Sequence, residues 1–118
     1  MNLREVQRLL DAEILCGEEA MDGEVNTVFA CDLMSDVLAF NENKTLLVTG
    51  LVNPHVIRTA EMMDINAIVF VRGKVPDEET LNLAKENGIV ILGTKNILYT
   101  SCGILYKSGL IGAKISSE

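Results

Sequence analysis

The chain has 118 residues, 48% apolar and 23% charged, which is enough to bury a core as one domain and excludes a disordered or low-complexity chain. Its net charge of −7 argues against nucleic-acid polymers and anionic membranes as partners, because both are bound by Lys and Arg neutralising phosphate. No apolar run approaches the roughly 20 residues that cross a bilayer. The stretch from Met1 to Leu10 lacks the apolar core and cleavage site of a signal peptide, so a soluble, cytoplasmic protein is expected.

Residues 2–11 read as a helix with Leu3, Val6, Leu9 and Leu10 on one face and Arg4, Glu5, Gln7 and Arg8 on the other. Residues 12–16 read as a short strand ended by Gly17, and residues 17–23 as a solvated acidic turn. Residues 25–30 are the next strand. Asp32 then reads as the N-cap of a short helix with Leu33, Val37 and Leu38 inward, ending near Asn41–Asn43.

The middle of the chain carries the fold. Leu46-Leu47-Val48 is an apolar run that stops at Thr49-Gly50, and a helix opens with Asn53 as N-cap and Pro54 at the first helical position. Val56, Ile57, Ala60 and Met63 form its inward stripe, with Met62 near the edge. The run from Ala67 to Val71 is apolar on both sides of the pleat, as a central strand covered on both faces must be. Strand, helix, strand in this order is a right-handed parallel crossover.

The pattern repeats, with Asp77 as an N-cap, Leu81 and Ala84 inward, Asn87-Gly88 as a C-cap, and residues 89–92 as a third parallel strand. A last helix over residues 96–107 takes Ile97, Leu98, Cys102, Leu105 and Tyr106 as its apolar side and stops at Gly109. The tail from Leu110 to Glu118 suits either an edge strand or a partner contact. The fold class is α/β: a single three-layer domain over residues 1–118, with a mainly parallel central sheet flanked by helices.

In such sheets ligands bind beyond the carboxyl ends of the strands. Three strand ends supply candidates for an anion or nucleotide: Thr49, Gly50, Asn53, His55 and Arg58 after the first, Arg72 and Gly73 after the second, Thr94 and Lys95 after the third. Arg58, Arg72 and Lys95 are expected to converge on one edge. No G-x-G-x-x-G or G-x-x-x-x-G-K-[ST] follows a strand, so neither standard dinucleotide nor P-loop phosphate site is expected, and no cofactor is named. His55 is the single histidine and lacks a nucleophile partner, so no catalytic residue is assigned. Cys16, Cys31 and Cys102 show no C-x-x-C spacing, which excludes a thioredoxin-like pair and leaves no metal ligand set. Cys16 and Cys31 are expected to be small buried thiols.

Residues 3–25, 31–39 and 65–94 together resemble a stand-alone DRTGG domain, a module similar to the N-terminal domain of HPr kinase/phosphorylase. Such modules also occur in some phosphotransacetylases and between CBS domains in some pyrophosphatases. Two of the family's name-giving positions differ: Leu51-Val52-Asn53-Pro54-His55 stands at the Asp-Arg pair, and Val71-Arg72-Gly73 at Thr-Gly-Gly. Arg72 and Gly73 correspond by position only. The resemblance implies a compact α/β accessory domain that self-associates and serves catalytic partners. The expected function is a non-enzymatic regulatory domain that binds a small anion or nucleotide, a partner protein, or both, as a homodimer. The alternatives are a small enzyme acting on a phosphorylated metabolite through His55 and Arg58, or a pure protein–protein adaptor.

Overall fold

A computed structural model describes residues 1–38 and 44–114. Helix α1 (Leu3–Leu10) leads to strand β1 (Glu13–Cys16), one 3-10 turn (Glu18–Ala20), and β2 (Thr27–Ala30). Helix α2 (Met34–Val37), β3 (Thr45–Thr49), α3 (Pro54–Met62) and β4 (Ala67–Phe70) follow. Helix α4 (Glu78–Glu86), β5 (Val90–Gly93), α5 (Leu98–Lys107) and β6 (Ile111–Gly112) complete the order.

The six strands lie in the order β1-β5-β4-β3-β2-β6. All pairings are parallel except β1 with β5. The sheet is three-layered because its strands are apolar in both directions. On β3, Leu46 and Val48 point into a core shared with α1 and α5, and Leu47 points into a core shared with α2, α3 and α4. Both leucines are fully buried, as alternation along a strand requires when helices cover both faces.

Local chemistry sets the helix ends on the second face. Asn53 Oδ1 accepts from the Val56 amide at 3.2 Å with Pro54 opening α3, and Asp77 Oδ1 accepts from the Thr80 amide at 2.9 Å and from the Thr80 hydroxyl at 2.7 Å. Those bonds hold the Asp77 carboxyl below its ordinary pKa, since they favour the charged form.

Several expectations give way. Asp32 is not the cap of α2. Leu33 occupies that position without a side-chain bond, and Asp32 is drawn away to β3. Met34 and Val37 are the buried residues of α2, while Leu33 and Leu38 are 59% and 49% exposed. A single turn has no period from which its inner face can be read. Residues 17–23 are not simply a solvated turn: Met21 is fully buried in the α1–α5 core, and Arg4 pairs with Asp22 at 3.0 Å to hold the segment on α1. On α5, Ser101 and Leu105 are buried, whereas Tyr106 and the capping Ile97 are exposed. Cys31 is half-buried, not fully buried like Cys16. Of the tail, Ile111 and Gly112 form an edge strand on β2. The expected helix end at Asn41–Asn43 lies outside the described residues, as does the tail beyond Lys114.

Candidate functional site

Four parallel strands put the ends of β2, β3, β4 and β5 along one edge of the sheet. Because β1 runs antiparallel, its start comes to the same edge, with Glu13 opposite Gly93. The connection after β4 leads to α4 on one face, and the connection after β5 leads to α5 on the other. The chain therefore parts to opposite faces between β4 and β5, and such a switch point is where open α/β sheets form ligand crevices.

At that point two adjoining depressions open. One, of about 110 Å³, is lined by Gly73, Lys74, Val75, Gly93 and Lys95 together with Leu15 and Glu13 of β1. The other, of about 280 Å³, is lined by Leu10, Asp11, Glu13, Thr94, Lys95 and Asn96. Arg72 and Gly73 turn the chain with consecutive positive φ values of 61° and 65°. The Arg72 amide donates to the Asn96 carbonyl at 2.8 Å and the Gly73 amide to the Thr94 carbonyl at 2.9 Å. These bonds staple the two loops together and occupy the amides, so recognition falls to the side chains.

The expected hydroxyls are structural. Thr94 Oγ1 donates to the Leu10 carbonyl at 2.7 Å and caps the end of α1, assisted by Asn96 Nδ2 at 3.1 Å from the same carbonyl. Thr49 Oγ1 donates to Asp32 Oδ1 at 3.1 Å and accepts from the Leu51 amide at 3.1 Å. Asp32 Oδ1 also accepts from the Gly50 amide at 2.7 Å, and Lys74 Nζ donates to the Gly50 carbonyl at 2.6 Å. A carboxylate from the β2 loop and an ammonium from the β4 loop thus hold the amide and the carbonyl of one residue at the end of β3. Three strand ends are laced together through Gly50.

The structure brings Arg72, Gly73, Thr94 and Lys95 to one place and ties Thr49-Gly50 to them through Lys74. Asn53 is spent on capping, and His55 is exposed on the first turn of α3. Arg58 lines a separate groove of about 450 Å³ between α3 and α4, beside Glu78, Glu79 and Glu86, and borders neither of the switch-point depressions. Lys74, Asp32, Asp11 and Glu13 were not among the expected site residues. Lys74 follows Arg72-Gly73 directly and was legible as part of that strand end. Asp11 and Glu13 arrive only through the antiparallel pairing of β1, which no local pattern announces.

The edge carries charges of both signs, Arg72, Lys74 and Lys95 against Asp11, Glu13 and Asp32. Burial pushes the thiols of Cys16, Cys31 and Cys102 up from their ordinary value, which keeps them protonated and poor nucleophiles. Among the described residues no cluster of His, Cys, Asp and Glu is arranged to hold a metal ion, and no helix is long and apolar enough to cross a membrane.

A family model described as the DRTGG domain matches residues 5–107. Among solved structures, a similar fold occurs in the regulatory region of a Clostridium perfringens pyrophosphatase, comprising CBS and DRTGG domains in complex with the activator diadenosine tetraphosphate. The TM-score is 0.70 at 18% identity over 91% of this chain and 46% of that one. The chain thus spans about half the length of its solved relative, and at this identity the likeness is one of fold. No curated protein sequence matches.

Proposed function

The chain belongs to the DRTGG domain family, and from that premise we propose that it is a non-catalytic regulatory domain that acts as a homodimer and binds a small anionic ligand of the nucleotide class. The carrying observation is the switch point between β4 and β5, where Lys74 and Lys95 line a crevice of ligand-binding topology and Arg72 stands in the turn whose amide is bonded to the Asn96 carbonyl of the facing loop. Cationic side chains there supply the charge-assisted hydrogen bonds that a phosphate takes. In support, the solved relative is a regulatory region complexed with a nucleotide activator. The exposed His55 has no oriented base or nucleophile described beside it, and the thiols are held protonated, which favours binding over turnover.

The test is a thermal-shift titration with diadenosine tetraphosphate, ATP, AMP and acetyl phosphate. A ligand at 100 times its dissociation constant stabilises the native state by about 2.7 kcal/mol, a rise of several degrees in a domain of this size. The expected result is a shift with at least one nucleotide that Arg72→Ala combined with Lys95→Ala removes. No shift with any of the four, or a shift retained in the double variant, overturns the site.

A further inference from the structure

We infer that the two adjoining depressions at the switch point hold the two halves of one ligand, a phosphorylated sugar. Its phosphate sits beside Lys74 and Lys95, and the sugar hydroxyls donate to Asp11, Glu13 and Asn96. This rests on the anion site proposed above and adds the chemical class of the ligand and its direction in the crevice.

The larger depression offers acceptors. Asn96 Nδ2 uses both of its hydrogens, one on the Leu10 carbonyl at 3.1 Å and one on Thr94 Oγ1 at 3.1 Å. Those bonds fix which way the amide points and leave Oδ1 with no partner among the described residues. The Thr94 hydroxyl has no hydrogen for a ligand, since it donates to the Leu10 carbonyl at 2.7 Å. Asp11 and Glu13 line the same depression and make no ion pair or side-chain hydrogen bond among the described residues. Asp11 is also a costly end for a helix. It caps α1 at φ 49°, where Gly or Asn is usual, and sets a negative charge at the helix C-terminus, which the dipole disfavours. Ending the helix does not explain a carboxylate there.

The smaller depression offers donors. Lys74 Nζ donates to the Gly50 carbonyl at 2.6 Å, which fixes the ammonium and leaves two of its three hydrogens for a ligand. A Cβ on Gly73 would stand 4.0 Å from Lys95 Cγ, so Lys95 lies over the turn and shares this depression with Lys74.

Charge then sets the direction. A phosphate is repelled by Asp11 and Glu13 and attracted by the two ammonium groups, so it takes the smaller depression. Lys95 lines both depressions and repels a bare metal ion at the acceptors. What suits them is an uncharged donor joined to a phosphate by a short carbon chain, which is the hydroxyl of a sugar phosphate. Open α/β sheets hold nucleotide ribose in this manner, by a carboxylate on its hydroxyl. Both depressions are smaller than the roughly 300–1,000 Å³ that a whole drug-sized ligand fills, so they fit a sugar and its phosphate and leave a base outside.

The experiment is isothermal titration calorimetry with ATP, dideoxy-ATP lacking both ribose hydroxyls, and ribose-5-phosphate, each in EDTA and then in Mg²⁺. The proteins are the wild type and Asp11→Asn/Glu13→Gln, with folding verified by far-UV circular dichroism. The variant separates two cases by sign. Removing two negative charges beside a phosphate strengthens binding if the carboxylates are bystanders, and weakens it if they accept the hydroxyls. The expected result is that the wild type binds ATP about tenfold or more tighter than dideoxy-ATP, the scale of a hydrogen bond to a charged group. In the variant that preference disappears and ATP binds more weakly. Equal binding of ATP and dideoxy-ATP by the wild type, or tighter binding of ATP by the variant, overturns the inference and leaves the anion site standing. The comparison of ligands on the wild type decides the matter even if the variant does not fold. Binding that needs Mg²⁺ and is indifferent to the hydroxyls assigns the carboxylates to a cation and also overturns the inference. Ribose-5-phosphate bound without ATP supports the sugar phosphate and overturns the nucleotide reading, and no binding of any probe overturns both.

Discussion

One face of the sheet is covered by α2, α3 and α4, the other by α1 and α5, and α5 is finished differently from the other long helices. Helices α1, α3 and α4 start at side-chain caps from Asn2, Asn53 and Asp77, and their outer surfaces are charged. Helix α5 starts at Ile97 with no side-chain cap, shows tyrosines to the outside, and buries a hydroxyl inside. The sheet beneath all four is the same, so what differs is the helix exterior.

The largest effect tests whether the sheet packs equally well on both sides. Leu46 and Leu47 are neighbours on β3, both fully buried, and point into opposite cores. Truncating either to Ala removes buried methyl groups and leaves a cavity, at about 2–5 kcal/mol. Urea unfolding should show both losses in that range. A loss at Leu46→Ala far below that at Leu47→Ala would mean that the α1–α5 core is loosely packed, and would break the claim that only the exterior differs.

The caps give a smaller and pH-dependent contrast. The Asp77 carboxyl has its pKa lowered by the Thr80 hydroxyl and amide. A group whose pKa is depressed on folding stabilises fully above its unfolded value, and that contribution disappears as the pH falls through the depressed one. Asp77→Ala should therefore lower the melting midpoint by a few degrees at neutral pH, with the gap closing on acidification. A gap independent of pH would show that the carboxylate's charge plays no part in holding the start of α4.

How far the sequence could be read follows the same division. The stretch from β3 to β5 was legible because each signal there is local: an apolar run, a Pro after an N-cap, an Asp three residues before its partner amide. Asp32 was misread for an equally local reason, since it stands where a cap should and is instead recruited by the Gly50 amide of another strand. Arg72, Gly73 and Lys95 can be placed at strand ends from the sequence because they follow strands directly. Thr49 and Thr94 stand at strand ends for the same reason, and their hydroxyls serve the nearest backbone groups. Arg58 was placed by helical spacing from the strand end, yet α3 carries it round to the α4 groove. On α5 an apolar residue falls on every side, so no periodicity could say which side turns inward, and Tyr106 and Ile97 were assigned to the wrong one.

Ser101 is the smallest lever and the sharpest probe of the α5 side. Its Oγ is fully buried and meets no hydrogen-bond partner among the described residues. A buried polar group without a partner opposes folding, and Ala is also the better helix former. Ser101→Ala should therefore stabilise the protein by about 0.5–1 kcal/mol, a rise of a few degrees in the midpoint. Because Ser101 faces the core and not the outer surface, the gain should leave self-association unchanged. A destabilised variant would mean that the hydroxyl is satisfied after all and that the inner side of α5 is finished as carefully as the caps of α3 and α4.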